Sequence, residues 1–172
     1  MSGTDAEGRP EPPLVAAEKP MLTAWLEWQR ATLMWKCSGL DDEQLRRRTV
    51  EPSTMSLLGL VRHLTDVERH WFRRVLAGED AAPLYWGSGP QDPDTDFDGV
   101  DDADVAADLA GYQREVARSR EVVADLDLDA TGTLRGEPVS LRWVLVHLTS
   151  EYARHNGHAD LLRERLDGAV GE

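Results

Sequence analysis

The sequence predicts an all-α protein, a four-helix bundle, from three features. Apolar residues recur every three or four positions in four segments of about twenty residues, which is the spacing of an amphipathic helix. Serine, proline and glycine stand where such helices would begin and end. The 172-residue chain is long enough for one domain with a sizeable core, and four helices with one apolar face each bury those faces against one another.

The first predicted helix covers about residues 20–38. Pro20 suits the first helical position, and Gly39 suits the residue just after the end. A short helical turn is predicted to follow over residues 41–48. A core stripe at helical spacing is preferred to a cofactor-stacking surface, and it consists of Trp25, Trp28, Thr32 and Trp35.

The second predicted helix begins after Ser56, which suits an N-cap, and ends near Gly78. Its apolar face consists of Leu57, Leu60, Val61, Leu64, Val67, Trp71, Phe72 and Val75. The face predicted to meet water consists of Arg62, Asp66, Arg69 and Arg73.

A loop predicted over residues 79–100 leads into the acidic stretch DPDTDFDGVDDAD. Asp94, Asp96 and Asp98 match the first half of a calcium-binding EF-hand loop. The bidentate glutamate of the twelfth position is missing, because Val105 stands there, and no strong helix leads into the loop. A solvated acidic loop is therefore the preferred interpretation, with calcium binding as the minor alternative.

The third predicted helix covers about residues 101–126, with apolar side chains spaced for burial. A small hairpin is predicted around Gly136. Ser140 then suits the N-cap of the fourth helix, which ends near Gly168.

The chain divides into a flexible N-terminal tail of residues 1–19 and a bundle domain of residues 20–168. The tail is rich in glycine, proline and charged residues, and it lacks the basic-then-apolar pattern of a secretory signal. No apolar run approaches the length needed to span a bilayer. Cys37 is the only cysteine, so no intrachain disulfide can form, and the cytoplasm is the expected compartment.

The formal net charge of −13 argues against two classes of partner. Binding to a phosphate backbone needs a basic surface, so we expect no nucleic acid partner. An acidic chain is also repelled by anionic lipids, so we expect no membrane partner.

The fourth helix carries most of the residues that suggest chemistry. At about 100° per residue, His147, Glu151, His155 and His158 fall within an arc of roughly 80° that also faces the core. A buried carboxylate beside imidazoles is costly unless it is paired or coordinated. Glu151 and His155 are one turn apart, so their side chains can converge on one divalent transition-metal ion.

A third protein ligand would come from the second helix, where two residues are candidates. His63 lies at the edge of the apolar face, and Glu68 lies deep on it. Glu68 also suits a hydrogen-bond acceptor that orients an imidazole. The pattern alone leaves this choice open, and an ordinary hydrogen-bonded pair in the core is the alternative to any metal site.

Two segments carry a resemblance to a known family. SLLGLVRHLTDVERHWF with its GED loop, and SLRWVLVHLTSEYARHNGHADLLRE, resemble the DinB/YfiT-like superfamily. Within it, the chain is most similar to an actinobacterial branch of unknown function that is itself similar to the mycothiol-dependent maleylpyruvate isomerases. The resemblance covers residues 21–168 and implies a four-helix bundle of DinB/YfiT-like type.

The resemblance also implies a metal site. In the superfamily one histidine on the second helix and two residues one turn apart on the last long helix bind the ion, and the matching positions here are His63, Glu151 and His155. Many members have histidine where Glu151 stands, whereas the mycothiol isomerases have glutamate. Family members commonly follow the last ligand with Arg-Gly-Gln. This chain has Asn-Gly-His instead, which leaves the role of His158 open, while His147 suits a packing role.

From this resemblance we expect a metal-dependent thiol S-transferase or isomerase. Zn²⁺ is the expected ion, with Ni, Fe and Mn as alternatives. A small-molecule thiol, mycothiol in the relatives, would bind as the thiolate and attack a small electrophilic substrate. A metal-dependent hydrolase and a non-catalytic metal-binding stress protein are the alternatives.

Two further expectations are less specific. Arg154 flanks the expected site. We expect its side chain to face water, and contact with an anionic substrate is the alternative. A homodimer is compatible with such bundles, although no residue predicts one.

Overall fold

The computed structural model describes residues 3–87 and 95–171 and confirms the all-α class. The helices are α1 (Glu18–Cys37), α2 (Asp42–Arg46), α3 (Leu57–Glu68), a π-helix (Arg69–Leu76), α4 (Thr95–Asp98), α5 (Val105–Asp125) and α6 (Leu141–Asp167). Strands β1 (Thr131–Leu134) and β2 (Glu137–Ser140) form an antiparallel hairpin before α6. Helix α1 packs most extensively on α6, and α3 packs most extensively on α5.

Local sequence signals set the ends of the two helices that carry the candidate site. The hydroxyl of Ser56 accepts a hydrogen bond from the N–H of Gly59, and the hydroxyl of Ser140 accepts one from the N–H of Trp143. Gly168 ends α6 in the left-handed conformation, with φ of 80°. Both caps and this end were predicted, and all three predictions are confirmed.

The core face of α1 differs from the prediction. Leu26, Leu33 and Cys37 are the apolar side chains of α1 that are buried, and they join the core cluster with residues of α3, α5 and α6. The predicted stripe is wrong for its tryptophans, because Trp25 is 45% exposed and Trp28 is only half-buried, whereas Thr32 is buried as predicted. Tryptophans at helical spacing therefore marked the neighbouring face of the helix.

The segment before α1 covers part of that tryptophan face. The guanidinium of Arg9 lies 4.2 Å from the ring centre of Trp28 and 4.6 Å from that of Trp35. Arg9 also forms an ion pair with Asp5 at 2.7 Å. The division into a flexible tail of residues 1–19 and a bundle domain stays a prediction.

The second predicted helix is continuous but changes its hydrogen-bonding pattern. It is α-helical from Leu57 to Glu68 and π-helical from Arg69 to Leu76. An i→i+5 helix holds more residues per turn, so each residue turns through a smaller angle around the axis. His70 and Trp71 lie on this π-helical part.

Asp66 corrects a second expectation, because it is buried and does not face water. Its carboxylate accepts hydrogen bonds from the backbone N–H groups of Leu84, Tyr85 and Trp86, at 2.7, 2.6 and 2.8 Å. Three such bonds satisfy a buried carboxylate and fix the loop that carries Trp86.

The hairpin is held tightly against the π-helix. A Cβ atom at Gly132 would overlap the carbonyl of Val75 and the Cα of Leu76, so this close approach requires glycine. The predicted turn around Gly136 is confirmed, and Gly136 has φ of 89°.

Among the residues that the structure describes, none of the helices combines the length and the hydropathy of a membrane-spanning segment.

Candidate metal centre

The structure brings His63 of α3 together with Glu151 and His155 of α6. One potential ligand atom from each of the three lies within 4.8 Å of the other two. The Oε1 atom of Glu151 lies 3.2 Å from Nε2 of His155 and 3.6 Å from Nε2 of His63. The family resemblance predicted these three residues as metal ligands, and we refer to them as the cluster.

One nitrogen of His63 lacks a hydrogen-bond partner in the part of the chain that the structure describes, as expected for a residue that binds an ion. Its Nε2 atom is buried and has no hydrogen-bond partner among the described residues. A buried polar atom without a partner costs free energy, so it normally marks a missing ligand or water. Two imidazoles and one carboxylate are a common donor set for a zinc ion with open coordination positions.

A buried carboxylate fixes the orientation of His63. The Oδ2 atom of Asp96 lies 2.7 Å from Nδ1 of His63, and Asp96 is almost fully buried. A carboxylate can only accept here, so Nδ1 carries the proton and the lone pair of Nε2 points into the cluster. The ring of Phe97 stacks on that of His63, with centroids 5.1 Å apart.

The burial of Asp96 beside the cluster differs from the prediction. Asp96 lies in the acidic stretch that we interpreted as a solvated loop, with Asp94 outside the described residues. Helix α4 is anchored by a hydrogen bond from the Thr95 hydroxyl to the carbonyl of Tyr85, at 2.7 Å. Nothing in the spacing of the aspartates indicates which one is buried, because the burial depends on how α4 docks on α3.

The imidazole of His155 is held in its neutral form. Burial, followed by repulsion from His63, lowers the pKa of His155 to about 4. Its Nδ1 atom, the nitrogen turned away from Glu151, lies 3.4 Å from Nδ1 of His158. His158 therefore contacts the cluster at His155, on the side of that ring turned away from Glu151.

The carboxylate of Glu151 keeps its charge. Burial raises the pKa of Glu151, but the neighbouring imidazoles of His155 and His63 lower it by more, so the net shift is downward. A neutral imidazole beside a carboxylate is the protonation pattern that a bound divalent cation requires.

Glu68 is engaged elsewhere and is not part of the cluster. It is 0% exposed and accepts hydrogen bonds from Nε and Nη2 of Arg30, at 2.8 and 2.7 Å. The hydroxyl of Tyr152 donates to the same carboxylate at 2.7 Å. Burial lowers the pKa of Arg30, but the attraction to Glu68 raises it by more, so the guanidinium stays charged inside the core.

Two other residues named from the sequence lie outside the cluster. The ring of His147 packs on Trp143 and Trp71, with centroids 4.8 and 4.7 Å away, which matches the predicted packing role. Arg154 is mostly exposed, and its Nη1 atom lies 3.6 Å from Oε2 of Glu151.

A comparison with protein-family models gives one finding about the chain. The model described as mycothiol-S-transferase matches residues 21–168, a range that includes the whole cluster and every helix except the first three residues of α1. No curated protein matches the chain. The mycothiol-related part of the resemblance is thereby confirmed, while the narrower actinobacterial branch stays a prediction.

Proposed function

Because the chain belongs to the mycothiol S-transferase family of DinB-like proteins, we propose that it is a metal-dependent enzyme that joins mycothiol to a small electrophile. The observation that carries the proposal is the cluster, in which a buried nitrogen of His63 has no partner among the described residues. The family links the chain to mycothiol. The cluster is the position at which the sulfur of mycothiol would react.

We assign His63, Glu151 and His155 as the metal ligands, with Zn²⁺ as the expected ion and Ni, Fe or Mn as alternatives. When bound, the ion supplies a Lewis-acid position that lowers the pKa of a thiol. Asp96 holds His63 with its Nε2 lone pair toward the cluster, and burial keeps His155 neutral and ready to donate its own lone pair.

The proposed transfer needs no reactant besides the thiol and the electrophilic substrate. The thiol sulfur forms a bond to the electrophilic carbon of the substrate, and the leaving group departs with the electron pair of its own bond. The thiol proton passes to solvent. In an isomerase the same sulfur would add to the substrate and later be expelled, so the thiol would be regenerated.

Mycothiol should bind to the zinc-loaded protein and be consumed with the electrophile. We expect a mycothiol concentration 100 times its Kd to stabilise the protein by about 2.7 kcal/mol, which a thermal melt would detect as a rise in Tm. Thioether formation from mycothiol and monobromobimane should exceed the uncatalysed rate, and a chelator should abolish that excess. Release of bromide from monobromobimane in the absence of any thiol would indicate a hydrolase. Zinc binding without any effect of mycothiol would indicate a non-catalytic metal protein.

Asp96→Asn should weaken metal binding by about tenfold or more, because outer partners of ligating histidines typically contribute 10- to 100-fold. The affinity can be measured by competition with a chromophoric chelator. Asp98→Asn is the matched control, since Asp98 belongs to the same short helix but is exposed. Equal affinities of the two variants would contradict the role of Asp96.

A further inference from the structure

A series of ring contacts leads away from the cluster along the helix surface. The ring of His63 lies 6.2 Å from that of Trp86, and Trp86 lies 5.8 Å from His70. His70 lies 5.3 Å from Trp71, which in turn lies 4.7 Å from His147. The series ends at a tryptophan on the first turn of α6. We call it the aromatic strip, and it consists of Trp86, His70, Trp71, His147 and Trp143.

The strip is only partly open to solvent. Trp143 is 48% exposed although its ring stacks on His147 with an interplanar angle of 17°, whereas the other four side chains are half-buried and Nδ1 of His70 is buried. A row of adjoining rings that each keep some exposed surface forms a contiguous patch, and such a patch usually marks a binding surface.

The strip is built on fixed elements. Asp66 accepts a hydrogen bond from the backbone N–H of Trp86, and Trp71 belongs to the π-helix. The close approach at Gly132 holds the hairpin against the carbonyl of Val75. A surface fixed in this way loses little conformational entropy when a ligand binds.

An open cavity of about 460 Å³ lies at the far end of the strip. Its apolar walls come from Pro138, Val139 and Trp143, and its polar side chains include Thr131, Glu137 and Ser140. Such a lining suits a hydroxylated ring, whose C–H face packs on an aromatic ring while its hydroxyls donate to a carboxylate or hydroxyl oxygen.

We propose that the aromatic strip and this cavity bind the hydroxylated rings of mycothiol while its sulfur lies at the cluster, an inference that rests on the proposed function. Mycothiol is a cysteine derivative that carries two linked hydroxylated six-membered rings. Trp143, where the strip meets the cavity, precedes Glu151 by eight residues on α6, which is about 12 Å along the helix axis. An extended thiol of this kind can therefore reach Trp143 and the cavity from the cluster, whereas a simple cysteine derivative cannot.

The test compares mycothiol with N-acetylcysteine, which has the thiol but lacks the rings. Isothermal titration of the zinc-loaded protein should show tighter binding of mycothiol. Trp143→Ala should weaken mycothiol about tenfold, as expected for the loss of aromatic packing, and leave N-acetylcysteine unchanged. Trp143→Phe should recover most of the difference, because it keeps a ring. Trp25→Ala is the matched control, since Trp25 is similarly exposed but lies on α1.

The outcomes separate this inference from the proposed function. A wild-type protein that binds both thiols equally well, or a Trp143→Ala variant that weakens both thiols alike, would overturn the ring site while leaving thiol chemistry in place. A wild-type protein that binds neither thiol would overturn both. A fall in the apparent mass of the Trp143→Ala variant on size exclusion, with unchanged mycothiol affinity, would overturn the ring site in favour of an interface with a second copy of the chain.

Discussion

His155→Ala will purify without its metal ion and will lose mycothiol-dependent activity. The imidazole of His155 is neutral and lies 3.2 Å from Glu151 at the cluster, so its removal takes away one of three proposed ligands. Loss of an outer partner alone costs 10- to 100-fold in metal affinity, so loss of a ligand should cost more than about 100-fold. Elemental analysis of the purified variant beside the wild type measures this directly.

His147→Ala is the control for metal content. His147 lies on the same helix two turns earlier, and it is half-buried against Trp71 and Trp143, not against the cluster. Its removal should leave the metal content at the wild-type level. Thermal melts of both apo variants would show that they are folded. If the His155→Ala protein holds as much metal as the wild type, the ion is not bound at the cluster.

The sequence predicted the parts of this site that depend on local pattern. Ser56 and Ser140 act as caps because a hydroxyl before an apolar period satisfies the first free N–H groups of a helix. Glu151 and His155 face the same way because they are one turn apart on a regular helix. His63 was distinguished from Glu68 only by the resemblance to a family, since both lie near the same apolar face.

The sequence could not predict contacts that depend on how distant segments pack. Asp96 and Asp66 are carboxylates in or beside acidic and basic stretches, which normally indicate solvent exposure. They are buried because one meets an imidazole of α3 and the other meets three backbone N–H groups of a loop. The change to a π-helix after Glu68 was not predicted either, because the helical spacing of apolar residues is judged with a constant angle per residue.

Arg30 is the clearest case of such a contact, and replacing it should have the largest effect on stability. Arg30→Met should lower the free energy of unfolding by about 3–5 kcal/mol, the range found when one partner of a buried ion pair is removed. The cause is the carboxylate of Glu68, which is 0% exposed in the native fold and would lose both guanidinium donors while keeping the hydroxyl of Tyr152. Urea unfolding of the two proteins measures the difference.

A double-mutant cycle shows whether the pair, and not the volume of Arg30, is responsible. Arg30→Met combined with Glu68→Leu removes both charges, so it should destabilise the protein much less than the sum of the single changes. Arg47→Met is the matched control, because Arg47 pairs with Glu43 at 2.5 Å on the surface, where both side chains are about half exposed or more. An exposed pair contributes about 0–1 kcal/mol. Similar losses for Arg30→Met and Arg47→Met would mean that the carboxylate of Glu68 gains little stabilisation from Arg30.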